Sequence, residues 1–193
     1  LGDRPSLDLP GQQDELFEAL AATGKPVDVL LFSGRPASIP RIAARADAIL
    51  ELWYLGQETG TAVANVLFGD VTPGGKLPIT MPRSAGHVPA YYNYKPSARR
   101  DYLFDSVAPL YPFGYGLSYS TFRYADLRLS AGKLPKNGVI AVGVDVKNTG
   151  SLAGDEVVQL YVRHPRSKVS RPIKELKGFQ RIHLKPGEVK TIH

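Results

Sequence analysis

The sequence predicts an α/β layered sandwich with a mainly parallel sheet, present in part, followed by an all-β antiparallel sandwich. Three observations carry this prediction. Over residues 1–85, short apolar runs alternate with stretches of helical period, the pattern of strand–helix–strand layering. From residue 121 onward, apolar side chains recur at every second position between turn signals, as they do in strands with one buried face. Between these two regions, residues 86–120 are rich in Pro, Gly and Tyr and hold neither period, so they read as a linker.

The first element, residues 8–24, has the features of a helix. Pro10 suits a first turn, Leu16, Phe17 and Leu20 form an apolar stripe, and Gly24 supplies the stop. Val27 to Phe32 reads as a strand, with Asp28 near its end or beside a polar partner. Ser38-Ile39-Pro40 then opens a short helix, and Ala48 to Tyr54 gives a second apolar run. A further helix carries Ala62, Val63, Val66 and Leu67 on one face and ends at Gly69. Pro73-Gly74-Gly75 turns into a strand from Lys76 to Met81. The linker follows, and its tyrosines (Tyr91, Tyr92, Tyr94, Tyr102, Tyr111, Tyr115, Tyr119) suit burial of the ring with the hydroxyl left in water; stacking on sugar rings is the alternative.

In the last region Ile140, Val142, Val144 and Val146 share one strand face, and Val158, Leu160 and Val162 share another. Asn148-Thr149-Gly150 and Pro186-Gly187-Glu188 are turn signals. Four to five strands are visible against the roughly seven of an immunoglobulin-like sandwich. This domain, residues 121–193, therefore reads as incomplete at its C-terminus, with an edge that something must cover.

The apolar share of 43% over 193 residues is enough for one substantial core or two small ones. No run reaches the roughly 20 apolar residues of a membrane helix, so no membrane partner is expected. The opening LGDRPSLDLPG lacks the basic flank and apolar stretch of a signal peptide. With Leu at position 1 both ends read as cut, and an upstream signal stays open. The absence of cysteine excludes disulfides and thiolate metal sites, and His87, His164, His183 and His193 share no ligand spacing, so no metal is expected. The net charge of +6 is uneven: residues 1–120 carry 10 basic and 12 acidic side chains, and residues 121–193 carry 14 and 6. The basic excess reads as a solvated face on a β-domain, with nucleic acid or an anionic glycan as partner the alternative. Nucleic acid is not expected as a partner, because neither a recognition helix nor a stacking-aromatic motif accompanies the charge.

Several motifs, taken in order, carry a resemblance. WYLGQETGTAVANVLFGDVTPGGKLPITMP, residues 53–82, and APLYPFGYGLSYSTF, residues 108–122, are followed by NTGSLAGDEVVQLYV, residues 148–162, and RPIKELKGFQRIHLKPGE, residues 171–188. In this order they resemble the C-terminal part of glycoside hydrolase family 3, the β-glucosidase and β-xylosidase type, with its appended fibronectin type III-like domain. Read without the resemblance, the glycines of these motifs serve turns and close backbone approach, and Glu58 serves a helix start.

The resemblance implies a hydrolase that removes terminal non-reducing β-D-glucosyl or β-D-xylosyl residues by a retaining mechanism without cofactors. Such enzymes use two carboxyl groups about 5–5.5 Å apart. In the family the nucleophile is an Asp of a separate N-terminal barrel, and the acid/base is a Glu shortly before the stretch that here reads Gly2-Asp3-Arg4-Pro5-Ser6-Leu7-Asp8-Leu9-Pro10. No catalytic residue is therefore carried over to this chain, and the chain alone is expected to be inactive. Asp3 and Arg4 are placed near the acid/base loop by the same resemblance; an ion pair and helix lead-in is their other reading. Arg99, Arg100 and Tyr102 suit a substrate entrance if their loop reaches across the barrel, and equally suit binding to the rest of the enzyme. The expected partners are that barrel, the rest of the α/β domain and a β-glucoside, β-xyloside or oligosaccharide, with room for a homo-oligomer. The implied location is the periplasm or outside the cell. A non-catalytic carbohydrate- or surface-binding β-sandwich module is the alternative function.

Overall fold

The computed structural model describes residues 4–96, 106–133 and 137–193. They form two compact units, each assembled from three chain segments: Leu1–Thr59, Leu77–Tyr115 and Tyr161–Lys177 in one, and Gly60–Lys76, Gly116–Leu160 and Gly178–His193 in the other. Among the described residues no helix is long and apolar enough to cross a membrane.

The first unit contains α1 (Gln13–Ala21), β1 (Asp28–Leu31), α2 (Pro40–Arg45) and β2 (Ala48–Glu51). The strands pair in parallel, Asp28 opposite Ala48 and Leu31 opposite Glu51. Asp28 opens its strand, as expected, and the Asp47 carboxylate accepts the Val27 N–H at 2.8 Å, fixing where the pair begins. Pro40 stands at the first position of α2, where a missing N–H leaves nothing unsatisfied. Phe17, Leu31, Ala37, Ile39 and Ile42 form the core, with Leu9, Val29, Ile49 and Leu110 packed around them.

Two expectations are corrected here. The helix expected over residues 8–24 is shorter, because Gly11 takes a φ of +66° and breaks the helical path after Pro10. Of its stripe only Phe17 is buried, while Leu16 and Leu20 are 60% and 48% exposed. A two-stranded sheet is too narrow to cover both flanks of the stripe. The strand expected from Lys76 to Met81 does not form. Leu77 N–H donates to Tyr115 O at 2.7 Å and Met81 N–H to Tyr111 O at 2.8 Å, leaving one antiparallel bridge between Met81 and Tyr111. Pro78 lacks the donor that a continuous ladder needs.

The linker tyrosines follow the expectation in part. Tyr92 stacks on Phe113 with centroids 4.3 Å apart and meets Tyr161 edge-on, and Tyr111 stacks on Tyr115 at 5.2 Å. The Tyr92 hydroxyl is not left to water, however: it accepts the Leu176 N–H at 3.2 Å. Tyr91 stays largely exposed.

In the second unit, α3 (Thr59–Leu67) buries Val63 and half-buries Val66; Ala62 and Leu67, expected on the same face, are exposed. Gly69 ends the segment at φ +85°. β3 (Phe122–Leu129), β4 (Val142–Asn148) and β7 (Val189–Ile192) form one antiparallel sheet in the order β3-β4-β7. β5 (Gly154–Val162), of this unit up to Leu160, pairs with β6 (Glu175–Leu184), of this unit from Gly178 on, in another. Val146, Val158, Ile182 and Leu184 are the core, packed by Phe122, Val144 and Ile192. Asn148, fully buried at the end of β4, accepts from the Ser120 hydroxyl at 2.7 Å and the Gly150 N–H at 2.9 Å, and its amide donates to Leu152 O and Leu184 O at 2.8 and 3.0 Å. All four hydrogen-bonding positions of its side chain are thereby used.

Candidate functional site at the strand ends

Parallel strands in α/β layers present their ligand sites at the carboxyl ends. At the end of β1 the chain continues Phe32-Ser33-Gly34-Arg35, and at the end of β2 it continues Leu52-Trp53-Tyr54. Ser33 closes a tight turn: its hydroxyl donates to Arg35 O at 2.5 Å and accepts the Arg35 N–H at 3.3 Å. That turn aims the guanidinium of Arg35 at the N-terminal segment, where Nη1 donates to Arg4 O at 3.2 Å. Three residues on, Ser38 N–H donates to Leu7 O at 2.8 Å. Residues 4–7 are thus tied at two points to the chain leaving β1.

The second strand end is strained. Trp53 adopts φ +51°, in the left-handed region where a bulky side chain costs about 1–2 kcal/mol. The preceding carboxylate, Glu51, accepts the Trp53 N–H at 3.3 Å. One Glu51 oxygen is buried without a hydrogen-bond partner among the described residues, and burial pushes the carboxyl above its usual range. The turn throws Tyr54 outward, 81% exposed, with its ring over Gly34 so closely that a β-carbon there would lie 2.6 Å from it. Phe32, 54% exposed, belongs to the same edge. An arginine, a serine turn and two open aromatic rings suit hydroxyl bonding and stacking on a sugar face.

Of the residues singled out in the sequence, Arg4 belongs to this edge. Its backbone carbonyl is the tethered atom, while its guanidinium bonds Asp8 O at 3.3 Å, in keeping with a lead-in role. Asp3, Arg99, Arg100 and Tyr102 lie outside the described residues. Arg35, Trp53 and Tyr54 were not singled out, although the strand-end rule applied to the two apolar runs reaches all three. Among the described residues no cluster of three His, Asp or Glu side chains is arranged to hold a metal ion.

The second unit holds a polar cluster of its own, built around the buried Glu156. Glu156 projects from β5 toward the core, accepts the Tyr124 hydroxyl at 2.8 Å and pairs with Lys76 Nζ at 3.2 Å. Lys76 also donates to Gly116 O at 2.8 Å. Burial, then the bond to Glu156, pushes the Tyr124 hydroxyl well above its ordinary value. Glu156 is buried, while Tyr124, 45% exposed, closes the cluster on its outer side.

Residues 2–119 match the glycosyl hydrolase family 3 C-terminal domain. The chain belongs to glycoside hydrolase family 3. Residues 156–193, which hold most of β5 and all of β6 and β7, match a fibronectin type III-like domain. Among family 3 members, a β-xylosidase of Formosa agariphila is 53% identical over 99% of the chain, and a periplasmic β-glucosidase of Salmonella typhimurium is 46% identical over 98%. A β-glucosidase structure from Erythrobacter marinus superposes over the whole chain with a TM-score of 0.94 at 47% identity. A β-glucosidase from Listeria innocua, solved with glucose, covers 97% of it with a TM-score of 0.86 at 38% identity. The chain spans about a quarter of these relatives, 27% and 26% of the two enzymes and 26% and 28% of the two structures.

Proposed function

We propose that this chain is the C-terminal portion of a retaining β-glycosidase that hydrolyses terminal non-reducing β-D-glucosyl or β-D-xylosyl residues, its nucleophile and acid/base lying in segments outside the 193 residues. The observation that carries the reading is the double tether of residues 4–7 by Arg35 and Ser38. A general acid works only when held within hydrogen-bond reach of the leaving oxygen. A segment fixed at two points immediately after the expected acid/base loop gives that loop a rigid anchor. The names of the relatives support the substrate class, and the strand-end aromatics suit a sugar-facing border.

In this reading Arg35 is a positioning residue, and Asp3, Arg4, Arg99, Arg100 and Tyr102 border the substrate. The β1–β2 pair continues into a mainly parallel sheet in the longer protein, whose barrel covers this edge. The divisions at residues 85 and 120 separate α/β domain, linker and fibronectin type III-like domain. A periplasmic or secreted location accords with the name of the Salmonella relative.

Arg35→Ala in the longer enzyme tests the proposal with 4-nitrophenyl β-glucoside and β-xyloside. The expected result is a roughly tenfold lower kcat with KM changed little and a displaced basic limb of the pH profile, both partly restored in Arg35→Lys. Unchanged kcat and an unchanged pH profile would remove Arg35 from this role.

A further inference from the structure

The loop from Arg163 to Lys174 contains Arg163, Arg166, Lys168, Arg171 and Lys174 and no acidic residue. It folds around a cleft of about 380 Å³, lined by Arg163, His164, Lys168 and Arg171 together with Ser167 and Ser170. Among the described residues, Arg163, Lys168 and Arg171 have no acidic partner, whereas Lys174 is committed to the Tyr161 ring, 4.8 Å from its centroid. The acid that follows the loop, Glu175, is engaged by Lys177 at 3.4 Å and lies 4.0 Å from His164. The loop is held in shape at both sides: Ser167 N–H donates to His164 O at 3.3 Å, the Ser167 hydroxyl to Val169 O at 2.8 Å, and Ile173 N–H to Tyr94 O at 3.0 Å. Three cations with no acidic partner among the described residues, brought around one concavity, repel one another, and an anion in the cleft relieves that repulsion.

We propose that this cleft is a binding subsite for the acid group of a charged saccharide, a uronate-bearing oligosaccharide. Its size matches one or two sugar rings, and Val169 and Pro172 in its wall provide apolar surface for ring C–H groups. Guanidinium groups at Arg163 and Arg171 match a carboxylate in two-pronged geometry. Among the described residues no Phe, Tyr or Trp ring lines the cleft, so it lacks the large stacking platform that a single-stranded nucleic acid requires. The choice of a saccharide over another carboxylate rests on the reading of the chain as part of a glycosidase; the cationic cleft itself does not.

Titration calorimetry of the 193-residue chain tests this with tetragalacturonate, uncharged cellotetraose, sodium sulfate and a single-stranded DNA tetramer as probes. The expected result is measurable affinity for tetragalacturonate that weakens several-fold between about 20 and 150 mM salt, as an ion-paired complex must when the screening length shrinks from roughly 20 Å to about 8 Å. Cellotetraose gives no signal, and Arg163→Gln with Arg171→Gln lowers tetragalacturonate affinity by about tenfold or more while Lys25→Gln does not. The thermal midpoints of both variants, matching the parent, show that the fold is intact. Equal affinity for cellotetraose, an unchanged affinity in the double variant, or tighter binding of sulfate or DNA than of tetragalacturonate would overturn the proposal. None of these readouts uses turnover, so an inactive longer enzyme would contradict the glycosidase reading without producing them.

Discussion

The Tyr124 hydroxyl donates to the Glu156 carboxylate over 2.8 Å inside the second unit, where Lys76 supplies the compensating charge at 3.2 Å. A carboxylate facing a core is tolerable only with such partners, because an isolated buried charge loses its hydration with nothing in exchange. Lys76→Met leaves Glu156 unpaired and is expected to lower unfolding stability by about 3 kcal/mol. Tyr124→Phe removes one charge-assisted hydrogen bond and is expected to cost about 2 kcal/mol. The Lys76→Met, Glu156→Leu double variant is expected to recover most of the loss, since it deletes both charges. Urea unfolding of the set measures all three.

Asn148 is a second point where one side chain holds several strands. Asn148→Asp keeps the acceptor for Ser120 and Gly150 but turns an anion toward the carbonyls of Leu152 and Leu184, which then have no donor. A loss of about 3 kcal/mol is expected, larger than for Asn148→Ser, and a urea midpoint comparison checks the order.

Acid stability turns on Asp145. Bonds from Arg128 and Thr191 hold its carboxyl down to about 2, below the ordinary value of 3.8. A depressed folded value contributes stability that is present above about pH 4 and is lost as pH falls through about 2. Asp145→Asn is therefore expected to be less stable than the parent at pH 5 to 7 and to converge with it near pH 2. Thermal midpoints across that range read the convergence.

Two glycines separate a clash with backbone from a clash with a movable ring. At Gly116 an added β-carbon meets the Gly75 carbonyl oxygen, which is fixed, whereas at Gly34 it meets the outer atoms of the exposed Tyr54 ring. Gly116→Ala is expected to cost about 2 kcal/mol and Gly34→Ala less than about 1 kcal/mol, the latter by swinging Tyr54 away. Chemical unfolding gives the first comparison, and a changed Tyr54 ring signal in NMR shows the second.

The alternation of strands and helices was legible because a buried face imposes its own period on the sequence, and β1, α2 and β4 lie where that period puts them, while β2 stops at Glu51, short of the apolar run that reaches Tyr54. Parity also carried more than was taken from it. Asn148 continues the inward register of Val144 and Val146, and Glu156 shares that of Val158, so both polar groups were marked as core residues by position alone. Local pattern failed where the partner is remote. Leu77 and Met81 look like strand residues, but their hydrogen bonds go to residues 111–115 in a segment with no period of its own. The strand-end site was hidden for a related reason, since Arg35 and Tyr54 acquire a common location only once β1 and β2 are paired in parallel.

We propose that this chain braces a glycosidase site whose catalytic groups lie outside it. Hydrolysis of 4-nitrophenyl β-glucoside and β-xyloside by the 193-residue chain alone, compared with the longer protein proposed to carry the barrel, measures this. The expected result is turnover by the longer protein and none above the uncatalysed rate by the chain; turnover by the purified chain would contradict the account.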